Sequence, residues 1–119
     1  MKPVNDSEHR RQKRWHLIYY LKVYDKNSGE LIGHMADITT RGVMVINETP
    51  VEDNKAFTLS LELPENFGED KFLEFEAESH WHDKDINPKY FANGFMITKI
   101  TKKNMDILKE MIKRYFFND

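Results

Sequence analysis

The chain has 119 residues, with 18 Lys and Arg against 20 Asp and Glu, a formal net charge of −2, 39% hydrophobic residues and no cysteine. That length allows one small domain with one ordinary core, since two half-sized domains would each lack a disulfide or metal staple. The missing thiol excludes disulfide scaffolds, thiolate zinc sites and cysteine nucleophiles, and the near-neutral balance excludes a broadly basic nucleic-acid binder while leaving local patches open.

Residues 1–14 are polar and without hydrophobic periodicity, and read as a flexible basic arm. No apolar stretch follows Lys2, so the segment does not read as a secretory leader. No run approaches the ~20 apolar residues of a membrane span, so a cytoplasmic, not membrane-inserted, protein is expected. From Trp15 the pattern turns to period two: Trp15, Leu17, Tyr19, Leu21 and Val23 line one face of a strand. Asp25-Lys26-Asn27-Ser28-Gly29 is a hairpin turn, because Asn and Gly tolerate positive φ. Residues 31–38 form a second strand and 43–46 a third, continuously apolar one, separated by Thr39-Thr40-Arg41-Gly42.

Two later strands alternate most clearly. Phe57, Leu59, Leu61 and Leu63 face one way, and Leu73, Phe75, Ala77, Ser79 and Trp81 oppose Glu74, Glu76, Glu78, His80 and His82. Each is half-buried with a wet face. Residues 64–71 connect them, 83–89 form a second polar loop, and 92–100 a last strand. The period then becomes helical over 101–117, with Met105, Leu108, Met111, Ile112 and Tyr115 on one face and Thr101 as N-cap. The expected architecture is mainly β: a small six-stranded antiparallel β-barrel over 15–119, closed by a C-terminal α-helix.

Two short motifs carry chemistry. His9-Arg10-Arg11-Gln12-Lys13-Arg14 packs four fixed positive charges into six residues before the first strand. An Arg fork grips phosphate or the O6/N7 edge of guanine bidentately, although by itself such a cluster is more often a solvated tail. Asp37-Ile38-Thr39-Thr40-Arg41-Gly42 ends the second strand. Asp37 and Thr39 lie two apart and so project to one side. A carboxylate accepts the N1–H and N2 amino hydrogens of guanine together, whereas adenine has no such donor pair. Alone, the same residues also suit a plain β-turn.

In combination the two motifs resemble those of the PilZ domain family, bacterial receptors for cyclic di-GMP. That family carries R-x-x-x-R on an N-terminal arm, matched by Arg10 to Arg14, and D/N-x-S-x-x-G after the first hairpin, matched by Asp37 to Gly42. Trp81, a polar loop and Gly94-Phe95-Met96-Ile97 are similar to the family's W…G-x-x-F region, so the likeness runs over nearly all of 9–117. Thr39 stands where the family carries Ser, and Ile97 where Phe is common. The resemblance implies that Arg10 and Arg14 contact phosphate and guanine, that Asp37 reads the Watson–Crick edge, that Thr39 hydrogen-bonds nearby and that Gly42 allows close approach. Arg11 and Lys13 are secondary candidates. It further implies a receptor without cofactor or catalytic activity, whose arm changes conformation on binding and signals to an effector protein in motility, exopolysaccharide or biofilm control.

Other classes compete. A small barrel with a basic arm and Trp15, Tyr19, Tyr20 and Tyr24 for stacking describes a single-stranded nucleic-acid binder, against which the acidic remainder of the chain counts; no DNA or RNA partner is expected. A ligand-independent interaction module is the other alternative. His80 and His82 lie two apart on a strand, but no third metal ligand accompanies them, and no catalytic motif is present. Any exposed part of the terminal helix stripe, Phe116 and Phe117 included, is a candidate homodimer or partner surface.

Overall fold

The computed structural model describes residues 21–65, 67 and 69–116. Among these, six strands precede one helix: β1 (Lys22–Asp25), β2 (Leu31–Ile38), β3 (Gly42–Asn47), β4 (Ala56–Glu62), β5 (Phe72–Lys84), β6 (Phe91–Lys99) and α1 (Lys102–Phe116). All neighbouring strands are antiparallel, and the order β1-β2-β3-β6-β5-β4 closes into a barrel. The fold is therefore the six-stranded barrel with a terminal helix that the periodicities predict. Trp15, Leu17, Tyr19 and the whole basic cluster of residues 9–14 lie outside the described residues.

Local chemistry accounts for the turns. Gly29 takes φ 79°, its N–H donating to the Asp25 carbonyl at 2.7 Å, and the Asp25 carboxylate accepts the Asn27 N–H at 2.9 Å. Only Gly reaches that φ without steric cost. Inside the barrel, Val23, Met35, Val45, Leu59, Leu61 and Leu73 are essentially inaccessible. Helix α1 packs against β5 and adds Leu108 and Met111, both fully buried and three residues apart on one face, to the barrel core. Thr101 caps it as expected, its Oγ1 accepting the Asn104 N–H at 3.1 Å. Asn104 Nδ2 in turn donates to the Glu74 carbonyl at 2.9 Å, fixing the first turn to β5. At the other end the Arg114 guanidinium lies 4.5 Å from the Phe67 ring centre, a cation–π contact that holds the β4–β5 connection.

Three details differ from the simple alternation. The apolar run of β3 has two faces: Val43 and Val45 join the barrel core, whereas Ile46 packs on a second cluster with Ala36 and Ala92, flanked by Met44 and Tyr90. Strand β5 continues through Asp83 and Lys84, so the second polar loop starts later than the sequence implies. Finally, Trp81 does not join Leu73, Phe75, Ala77 and Ser79 in the core; it is 48% exposed. The cause is a β-bulge. Ser79 pairs with Phe95 but Trp81 pairs with the very next residue, Gly94, leaving His80 as an extra residue. One extra residue reverses which side every later side chain faces.

Candidate functional site

The β2–β3 turn is wired by its own side chains. Thr39 Oγ1 accepts the backbone N–H groups of Arg41 at 3.1 Å and Gly42 at 3.2 Å, and the Thr39 N–H donates to the Gly42 carbonyl at 2.9 Å. With both acceptor positions engaged, the Thr39 hydroxyl offers its proton outward as a donor. Asp37 is half-buried, with its Oδ1 accepting the Ile38 N–H at 2.8 Å. Strand β6 braces the turn from the other side, the Ile97 N–H donating to the Arg41 carbonyl at 2.8 Å.

Gly42 and Gly94 are required by close packing. A Cβ on Gly42 would overlap the Phe95 carbonyl oxygen, so what approaches this glycine in the structure is the β6 backbone. A Cβ on Gly94 would overlap the Trp81 indole at Cε2 and Nε1 and lie 2.7 Å from Cζ2. The indole thus rests directly on the Gly94 backbone and presents its other face to solvent.

These elements enclose an open depression of about 350 Å³, lined by Asp37 from the end of β2, Thr39 and Arg41 from the turn, Gly42 and Met44 from β3, His80 and Trp81 from β5, and Gly94 and Met96 from β6. The floor is apolar, with Trp81 and the 44%-exposed Met96 open to solvent. Polar groups ring it: the Asp37 carboxylate, the Thr39 hydroxyl, the Arg41 guanidinium and the His80 imidazole. Three sequence-marked residues, Asp37, Thr39 and Gly42, meet there; Arg10, Arg11, Lys13 and Arg14 lie outside the described residues. Sequence reasoning did not place Trp81, Arg41, His80 or Met96 at a site. The Trp81…Gly94 spacing was a usable signal, but only the bulge reveals the contact.

A larger hollow of about 580 Å³ opens beside Leu31, His34, Ile46, Glu48 and Tyr90. It gathers none of the motif residues, so chemistry selects the smaller depression despite its size. His80 and His82 do not converge: His80 Nε2 lies 3.0 Å from Glu78 Oε1, and His82 Nδ1 lies 3.0 Å from Asp53 Oδ1. Among the described residues no group of three or more His, Asp or Glu is arranged to hold a metal, and no helix is long and apolar enough to cross a membrane.

The barrel-plus-helix fold recurs in solved structures of other proteins. It is similar to the inhibitor of motility MotI/DgrA of Bacillus subtilis, with 17% identity and a TM-score of 0.69 over 83% of this chain and 47% of that one. It is similar to MrkH of K. pneumonia in its apo state, with 14% identity and a TM-score of 0.64 over 83% of this chain and 46% of that one. The PilZ domain of Escherichia coli YcgR, solved with c-di-GMP, matches at 12% identity and a TM-score of 0.63 over 83% of this chain and 82% of that one. The chain thus spans about half the length of the first two. No curated protein matches it in sequence. The family model of the PilZ domain matches residues 8–117, which takes in both motifs, all six strands and the helix. The chain belongs to the PilZ domain family.

Proposed function

We propose that this protein is a cyclic di-GMP receptor in which residues of the N-terminal arm close over the barrel depression, and in which occupancy is passed to a partner protein. The observation that carries this reading is the convergence of Asp37, Thr39 and the Trp81 indole on one depression. A guanine laid on the indole stacks against a flat apolar surface, a contact worth about 1–3 kcal/mol per base. In that position its N1–H and N2 hydrogens meet a carboxylate and its neighbouring polar edge a hydroxyl donor.

The route of the chain supports a role for the arm. The Leu21 carbonyl accepts the Met35 N–H at 2.8 Å. Because β1 and β2 are antiparallel, stepping back in sequence from Leu21 leads in the direction of Asp37. Arg14 lies seven residues before Leu21, a span of at most about 25 Å. Arg14 and, four residues earlier in the chain, Arg10 are therefore within reach of a ligand at the depression, where each guanidinium fork suits a phosphodiester. The YcgR PilZ domain solved with c-di-GMP supports the choice of ligand, and the inhibitor of motility MotI supports motility control as the output.

Calorimetric titration of the full chain with cyclic di-GMP is expected to show saturable binding, and linear GMP to bind far more weakly. Absence of heat at high protein concentration overturns the reading. Binding of single-stranded RNA at moderate salt in place of cyclic di-GMP would favour the nucleic-acid alternative.

A further inference from the structure

We infer that Arg41 and His80, facing one another across the Trp81 floor, form a second phosphate seat built into the barrel itself, which makes ligand affinity rise as pH falls. The inference rests on the receptor reading and deepens it. Cyclic di-GMP carries two phosphodiesters, and the arm arginines are one source of cations for them. The depression has its own pair, Arg41 at an unspecified position of the second motif and His80 outside both motifs.

Arg41 is held ready by its backbone. Its N–H donates to Thr39 Oγ1 at 3.1 Å and its carbonyl accepts the Ile97 N–H at 2.8 Å. Its side chain is exposed on the rim, and among the described residues no carboxylate lies within ion-pair distance of it. A guanidinium fixed at its root and unengaged at its tip binds an anion with little loss of backbone freedom.

His80 is brought to the same depression by the bulge that makes it the extra residue between Ser79 and Trp81. Its Nε2 stands 3.0 Å from Glu78 Oε1, so Nε2 carries the proton that a carboxylate accepts. In the neutral ring Nδ1 is then a lone pair, which repels a phosphate oxygen. Protonation turns Nδ1 into an N–H donor and adds a positive charge. The charged groups around His80 are Glu78 on its own strand, Asp37 and Arg41 across the depression, and Lys55 before β4, whose ammonium lies over the Phe57 ring. Strand β6 supplies Gly94, Phe95 and Met96 there, none of which titrates. The cationic form prevails on the acid side, so binding of an anion strengthens as pH falls.

The test is calorimetric titration of cyclic di-GMP into the full chain at pH 6 and pH 8, with Arg41→Met and His80→Gln alongside. Wild type is expected to bind about three- to tenfold more tightly at pH 6 than at pH 8. In His80→Gln that ratio collapses toward one, although His9, His16, His34 and His82 remain in the chain. Arg41→Met is expected to weaken binding by about three- to tenfold at both pH values and to keep the ratio. Both side chains are exposed, so thermal melting of the variants should match wild type. A His80→Gln ratio equal to that of wild type, or an Arg41→Met affinity equal to it, overturns the inference while leaving the receptor reading intact. No binding by the wild-type chain at either pH overturns both.

Discussion

Thr39 shows how one side chain serves local structure and site chemistry together. Its oxygen holds the β2–β3 turn by accepting two backbone N–H groups, and its remaining proton points the residue's chemistry outward. The methyl that distinguishes it from Ser stiffens χ1 without removing the acceptor. Asp37 is the residue on which base selectivity rests in this reading. Asp37→Ala is expected to cost about 2–4 kcal/mol of binding, because the guanine donors would lose a charged acceptor, and isothermal titration measures it directly; an unchanged affinity removes Asp37 from guanine recognition. Gly94→Ala tests the Trp81 platform. The new methyl must displace the indole, so tryptophan emission should shift and binding should weaken by roughly the stacking increment of 1–3 kcal/mol. Wild-type emission and affinity in that variant would show that the indole is not seated on Gly94.

At the scale of elements, β5 does the most to shape the site. Its first half, Leu73 to Ala77, alternates regularly into the core, and its second half is re-aimed by the bulge at His80. The bulge sits where the β3–β4 connection is fastened. Buried Ser79 accepts the Lys55 N–H on Oγ at 3.0 Å, and fully buried Asn93 accepts the Val51 N–H on Oδ1 at 2.9 Å while its Nδ2 donates to Asn47 Oδ1 at 2.9 Å. Removing the Asn93 amide leaves the Val51 N–H without its acceptor and Asn47 Oδ1 without its donor. Asn93→Ala should therefore lower stability by about 2–4 kcal/mol, read by urea unfolding; a midpoint equal to wild type would mean that solvent satisfies these groups. For α1, the stabilisation comes from Leu108 and Met111 rather than from the surface pairs. Leu108→Ala is expected to cost about 2–5 kcal/mol, whereas removing the exposed Lys102–Asp106 pair, at 3.7 Å, should leave the unfolding midpoint within error.

For the whole molecule, charge is segregated. Residues 9–14 hold four basic and no acidic side chains, leaving 14 basic against 20 acidic residues, a net −6, in the rest of the chain. The overall −2 conceals a small cation attached to an acidic body. An anionic ligand would be repelled by that body and attracted by the arm and Arg41, so affinity should fall as salt rises. Arg14→Ala should weaken binding and flatten that salt dependence, with the melting curve unchanged; a slope as steep as that of wild type would argue that residue 14 does not meet phosphate.

Period-two runs such as Leu59, Leu61 and Leu73, Phe75, and the three-and-four spacing of Leu108 and Met111, identified the strands, the helix and their buried faces. Those patterns are local: each is dictated by the backbone repeat of its own element and by which side chains must leave water. The Asp37 to Gly42 motif was legible for the same reason, since it occupies one turn. The closed strand order, the two faces of β3 and the outward turn of Trp81 were not. They depend on cross-strand register, on Gly94 leaving room for an indole thirteen residues away in sequence, and on a single unpaired residue, His80, whose effect exists only once β5 and β6 are hydrogen-bonded. Side-chain identity determined what can be buried; the ladder between strands decided which groups share the depression.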